Sequence, residues 1–356
     1  MTFYQELQLN QAGSKKLIRQ SETMKEKIRH TVIYLMKIAI TVTFCFFFVA
    51  AFSAIFGNEN SVVGVVTLLS IMVFQNADFG VDAKQSVGLI ACFFGLMAVA
   101  PHLANVSGAL GGLVINGIAI CLMIILGGYI PQMSNHSTIV LGYLLMFGYD
   151  VSGTALKMRV AALALGCLMT AAVFYRNHRE KVYHKNVSDI FKEFTNDHAR
   201  LKWELCEIIC VPLVVAIAEM FHTPRSMWAG LAALAVITLS METSKSKVRQ
   251  RIVGNILGGI LFFVLYYTLP TWLYAYIGVI GGIGVGFSVK YHWQSMFNTF
   301  GALAIATTAF GLMPAIHFRV LQNVFGVLFA LAFCIVFGKV FAKWEEKKEH
   351  DEVAYA

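Results

Sequence analysis

The chain of 356 residues is 58% hydrophobic and 13% charged, with a formal net charge of +8 and a mean hydropathy of +0.67. That is far more apolar than a soluble domain of this length needs to be, and it specifies an all-α polytopic membrane protein. The positive charge does not point to nucleic acid, because the basic residues flank apolar spans instead of forming a patch interleaved with aromatics.

Residues 1–30 form a polar segment rich in Lys and Arg (Lys15, Lys16, Arg19, Lys25, Lys27, Arg29). It is too long for the n-region of a secretory signal, and no small-residue cleavage site follows the first apolar span, so it is expected to stay attached in the cytoplasm. Apolar residues at helical spacing, among them Leu17, Met24 and Ile28, predict an amphipathic helix over Leu17 to Tyr34 on the inner membrane surface.

Apolar stretches follow at about 31–57, 61–75, 86–104, 107–129, 137–150 and 154–175, then at about 205–222, 226–241, 252–269, 271–289, 294–312 and 316–338. They predict about 12 transmembrane helices. The organisation read from them is a first six-helix repeat over 31–175, a charged cytoplasmic linker helix over 176–204, a second six-helix repeat over 205–341 and a charged tail over 342–356. In the linker, Ile190, Phe191 and Phe194 form an apolar stripe. Spans 61–75, 137–150 and 226–241 fall short of the roughly 20 residues a straight crossing needs, as the discontinuous helices of a binding site do.

Placing both termini inside puts most of the 28 Lys and Arg in cytoplasmic segments. Lys157, Arg159, Arg225 and Arg319 then fall toward the outside, and Lys37 within a span.

Internal similarity supports the doubling. Met158-Arg159-Val160 followed by Gly166 has a counterpart in Phe318-Arg319-Val320 followed by Gly326, and Ser86-Val87-Gly88 corresponds to Ile252-Val253-Gly254. Arg251 stands before Gly258 at the same spacing as Arg319 before Gly326, which predicts an inverted pair of three-helix units within a half.

The most informative stretch is Met227 to Gly259. It reads as two membrane helices around a basic turn that holds Glu242, Lys245, Lys247, Arg249 and Arg251. Gly254 and Gly258 lie four apart on one helical face, where another backbone can approach.

Trp228, Ala229, Arg251, Ile252, Gly254 and Gly258, with their spacing, resemble the signature of the fusaric acid resistance and aromatic acid exporter family. The similarity extends from about Thr223 to Phe341, and the plant aluminium-activated malate transporters share the plan. Asn255 stands where that family usually has threonine. The resemblance implies export of amphipathic or aromatic organic anions across a bacterial inner membrane. It also implies Trp228 as a platform for an aromatic substrate, and Asn255, after the first glycine of the motif, as a further substrate-binding candidate.

Charge in hydrocarbon is costly enough that it usually faces a cavity or a partner. Arg159 and Arg319 are therefore candidate contacts for a carboxylate, which a guanidinium meets through paired donors, and Asp150 is the obvious partner if Arg159 is only structural. Arg251, with Arg249 and Lys247, would attract anions at the inner mouth or set topology. Candidates for proton coupling are Asp78, Asp150, Glu219, His222 and His317, with Glu219 and His222 expected on one helical face.

No phosphate-binding loop, dinucleotide fingerprint, nucleophile–base spacing or metal-ligand cluster is visible, so neither enzyme activity, cofactor nor metal is expected. Cys206 and Cys210, one turn apart, read as small core residues. The expected partners are a small organic anion, protons and membrane lipid, with the chain acting as a monomer or homodimer. The alternatives are a passive anion channel and a structural membrane protein.

Overall fold

The computed structural model describes residues 2–194 and 197–355. Among them the regular structure is entirely helical. The helices are α1 (Phe3–Gln8), α2 (Gln11–Arg19), α3 (Met24–Phe56), α4 (Ser61–Phe74), α5 (Ala83–Val106), α6 (Gly108–Gly127), α7 (Asn135–Gly148) and α8 (Gly153–His178). They continue as α9 (Val187–Lys192), α10 (His198–Met220), α11 (Met227–Val236), α12 (Met241–Thr268), α13 (Ile277–Phe287), α14 (Tyr291–Phe310) and α15 (Leu312–Tyr355), with short 3-10 turns at Asn58–Asn60, Pro131–Met133 and Thr271–Tyr276.

Each of the twelve apolar stretches overlaps a helix, although 226–241 is broken at Ile237–Ser240 and 271–289 opens with a 3-10 turn. Among the described residues six helices, α3, α5, α6, α8, α12 and the Leu312–Lys347 part of α15, are long and apolar enough to cross a membrane. Asn58–Phe74, Met227–Val236 and Ile277–Phe287 are apolar but shorter.

Three local expectations are corrected. The helix expected over Leu17 to Tyr34 is broken, because α2 ends at Arg19 and α3 starts at Met24. A reciprocal cap starts the new helix: Glu26 N donates to Thr23 Oγ1 at 3.2 Å, and Thr23 N donates to Glu26 Oε2 at 3.4 Å. The basic turn is helix as well, since α12 begins at Met241 and its first turns carry Lys245, Lys247, Arg249 and Arg251. That stretch contains good helix formers and no Gly or Pro, so the chain break moves back to Ile237–Ser240.

The linker, finally, is not one helix. α8 runs on to His178, α9 starts behind an Asn186–Asp189 capping box, and α10 is capped by Asp197, whose side chain accepts from Arg200 N. Thr195 and Asn196 of that linker lie outside the described residues.

The chain divides into two compact units, each drawn from separated stretches of sequence. One comprises the N-terminal residues to Phe48 with Arg249–Leu321, and the other Val49–Val248 with the chain from Gln322 onward.

In the first unit, α12 lies against α14 through the expected glycine face. A Cβ at Gly254 would sit 2.5 Å from His292 O, and one at Gly258 would sit 2.7 Å from Met296 O. Gly281 brings α13 equally close to α14, 2.7 Å from Phe297 O. The N-terminal segment is tied to the end of α13, with Lys15 Nζ donating to Phe287 O at 2.7 Å and Tyr34 Oη to Gly286 O at 2.9 Å.

In the second unit, glycines again set the helix separations. Gly64 on α4 lies under Phe52, Gly166 on α8 fits against Thr67 on α4, and Gly326 on α15 fits against Ala229 on α11. Trp228, Tyr143, Phe79, Phe93, Phe147 and Phe174 are buried in this unit.

Candidate functional site

The charged side chains proposed from sequence are dispersed. Arg159 is 2% exposed, and its guanidinium donates to Asn60 Oδ1 at 3.0 Å, Glu59 O at 3.1 Å and Met146 O at 3.5 Å. Its donors thus close the turn before α4 and the end of α7. Asp150, expected as its partner, instead meets His102 Nδ1 at 2.9 Å. Asp78 pairs with Lys181 Nζ at 3.1 Å.

In the first unit, Arg319 is buried on α15 and His317 is exposed. Arg251 donates to Tyr291 Oη at 2.9 Å. Asn255 donates to Ser295 Oγ at 3.0 Å and accepts from Thr299 Oγ1 at 3.0 Å, joining α12 to α14. Trp228 is buried on α11 of the second unit.

Glu219 and His222 do not share a helical face. α10 ends at Met220, and His222 takes φ +53° beyond it. Both still line a cavity of about 340 Å³ together with Arg225 and Ser226.

A denser constellation lies at the other end of α10, in the second unit. Arg200, Trp203, Glu204 and Glu207 follow the i, i+3, i+4, i+7 pattern of one helical face, and all four are buried. Charged residues thus occupy positions that normally hold apolar ones. Arg200 Nε donates to Glu204 Oε1 at 2.8 Å, and its guanidinium lies over the Tyr129 ring, 5.1 Å from the centroid. Gly128 makes room for the carboxylate, because a Cβ there would lie 2.8 Å from Glu204 Oε1.

One turn on, Glu207 is fully buried and faces His136, from the first turn of α7, with Oε2 3.5 Å from His136 Nε2. Neither Glu207 oxygen has a hydrogen bond of good geometry among the described residues. His136 packs edge-on to Trp203 with 4.7 Å between centroids and meets Ser137 Oγ through Nε2 at 2.9 Å. Lys247, on the first turns of α12, acts electrostatically on both His136 and Glu207.

Trp203 also forms a wall of a cavity of about 370 Å³, with Phe337 and Phe341 of α15 as further aromatic walls. Lys202 brings a positive charge to this cavity, and His198 and Glu345, paired at 2.8 Å, stand at it too. A cavity with aromatic walls and one cation suits an amphipathic anion.

A second cavity of about 550 Å³ is lined by Tyr129, Arg200, Glu193 and Asp197. The Lys185 ammonium, 2.7 Å from Glu193 Oε2, holds that carboxyl below its usual range. Desolvation, reinforced by the hydrogen bond to Glu193, raises the Tyr129 phenol.

Residues 213–333 match the family described as fusaric acid resistance protein-like. Over that stretch, about a third of the chain, it is similar to this family. Its long apolar helices are those of a multi-pass membrane protein. No curated protein and no solved structure matches the chain. The fusaric acid resistance protein-like segment includes Trp228, Arg251, Asn255 and Arg319, whereas His136, Glu204 and Glu207 precede it.

Sequence reasoning passed over this cluster. The linker boundary at residue 204 leaves Glu204 on the polar side, and Glu207 has no role in the sequence reading. The available signal was the spacing of Arg200, Glu204 and Glu207, which continues through Cys210, Val211 and Val214 on one buried face of α10.

Proposed function

We propose that the protein exports amphipathic or aromatic organic anions from the cytoplasm in exchange for protons. In this reading the cavity between Trp203, Phe337 and Phe341 receives the anion, and His136 with Glu207 carries the proton. The observation that carries it is the fully buried Glu207 carboxylate, 3.5 Å from an imidazole and on the same turn region as a cavity wall. A proton held between two such groups satisfies both, whether as imidazolium with carboxylate or as imidazole with carboxylic acid. Its loss leaves an uncompensated buried charge, which favours a rearrangement that readmits a proton.

α10 is suited to transmit such a change. It joins Glu207 at one end to Glu219, beside the 340 Å³ cavity, at the other. Between them Pro212 omits a backbone donor, a common site of helix bending.

The substrate class and direction rest on the family motif. The orientation, with both termini cytoplasmic, rests on the distribution of Lys and Arg. Two six-helix halves are supported by equivalent contacts, in which the Gly that follows Arg159 or Arg319 by seven residues fits against the second helix of its own half. Arg251 and Arg319 are proposed as further contacts for the anion.

The test is efflux of radiolabelled aromatic and aliphatic carboxylates from proteoliposomes, with and without an imposed pH gradient, for the native chain, Glu207→Gln and Arg319→Gln. Gradient-stimulated efflux that is lost in Glu207→Gln is the expected result. Flux that ignores the gradient and does not saturate would identify a passive channel, and no flux of any anion would overturn the transport reading.

A further inference from the structure

Cys206 on α10 and Cys334 on α15 are separated by 128 residues in the chain, yet their Sγ atoms lie 2.9 Å apart. We propose that they form a redox-active dithiol that closes to a disulfide and fastens α10 to α15.

Three observations bear on this. The sulfurs need to approach by less than about 1 Å to reach the bonded separation of about 2.0 Å. Both residues line the 370 Å³ cavity, which gives a small reagent access to a pair that is otherwise largely enclosed. Lys202 lines the same cavity, and a nearby ammonium favours the thiolate that must attack. Cys210, one turn along α10, is buried and does not line the cavity, so it serves as an internal control.

The oxidant is a small disulfide such as oxidised glutathione. The Cys334 thiolate attacks one of its sulfurs, a mixed disulfide forms and one glutathione thiolate leaves. The Cys206 thiolate then attacks the Cys334 sulfur of that mixed disulfide, and the second glutathione thiolate leaves. The two cysteine protons pass to the two leaving groups, so two thiols are oxidised while one disulfide is reduced to two thiols.

The bond fixes α10 at the residue before Glu207. The consequence for transport rests on the reading above, in which α10 moves during the cycle, whereas the cross-link itself does not.

The full chain in proteoliposomes is incubated with oxidised glutathione, denatured, and its remaining thiols are counted by mass-tagged maleimide. The native chain should lose two of its seven reactive thiols and regain them with dithiothreitol. Cys210→Ser should still lose two, whereas Cys206→Ser and Cys334→Ser should close no internal disulfide. Retention of all seven thiols, loss of only one, or dependence of the loss on Cys210 would overturn the dithiol. In parallel, gradient-driven efflux should fall at least tenfold on oxidation of the native chain and recover when dithiothreitol reopens the bond. A cross-link that forms while efflux continues would overturn the fastening role. A cross-link that forms in a protein with no efflux in its reduced state would uphold the dithiol and count against the transport reading alone.

Discussion

Glu207 and His136 face each other at 3.5 Å from two helices, with the carboxylate fully buried and the imidazole nearly so. Each partner sets which protonation the other can hold in low dielectric. Replacing Glu207 by Gln keeps the shape and removes the titration. Glu207→Gln is therefore expected to fold and to retain downhill anion flux while losing its dependence on a pH gradient. Equal stimulation of mutant and native efflux by the gradient would rule out Glu207 as the proton carrier.

Lys202 is exposed toward the aromatic cavity, and Trp203 forms its wall. Lys202→Gln removes a favourable charge for a carboxylate while leaving the aromatic walls intact. An increase in KM for anion efflux of about tenfold, or ~1.4 kcal/mol, is expected, with kcat little changed. An uncharged aromatic analogue should bind both proteins alike in a fluorescence titration of Trp203.

The glycine face of α12 is a packing device. Cβ atoms at Gly254 or Gly258 would meet backbone carbonyls of α14, which cannot move aside as a flexible side chain can. Gly258→Val should destabilise the protein by about 1–3 kcal/mol, read as a lower thermal unfolding midpoint in detergent. Asn255→Ala, which removes the side-chain bonds to Ser295 and Thr299, should cost only about 0.6–1.7 kcal/mol, since interhelical hydrogen bonds in membranes are individually modest. A larger effect on efflux than on stability would return Asn255 to the substrate path.

What could be read from the sequence was what is local or periodic. Gly254 and Gly258 announce a close helix approach through their spacing alone, and each of the twelve apolar stretches overlaps a helix. The buried site is different, because His136 and Glu207 are far apart in the chain and meet only through packing. The polar character of Arg200 and Glu204 resembled that of the preceding linker, so the start of α10 was placed too late. Tertiary context also decided Arg159. Its sequence shows an Arg near a span end, but not that Asn60 and two backbone carbonyls use its donors.

Arg159 and Arg319 occupy corresponding places in the two proposed halves, and the environment of Arg159 separates a structural from a transport role. Arg159→Lys keeps the charge but loses the planar fork that reaches Asn60, Glu59 O and Met146 O at once. Each buried acceptor left unpaired costs about 1–3 kcal/mol, so Arg159→Lys should lower the unfolding midpoint markedly while the surviving folded fraction keeps its KM for anions. Arg319→Lys, as the loss of a substrate contact, should instead raise KM. Efflux kinetics normalised to folded protein, measured beside thermal unfolding of both variants, separate the two roles. A raised KM in Arg159→Lys would show that this arginine serves the anion despite its internal partners.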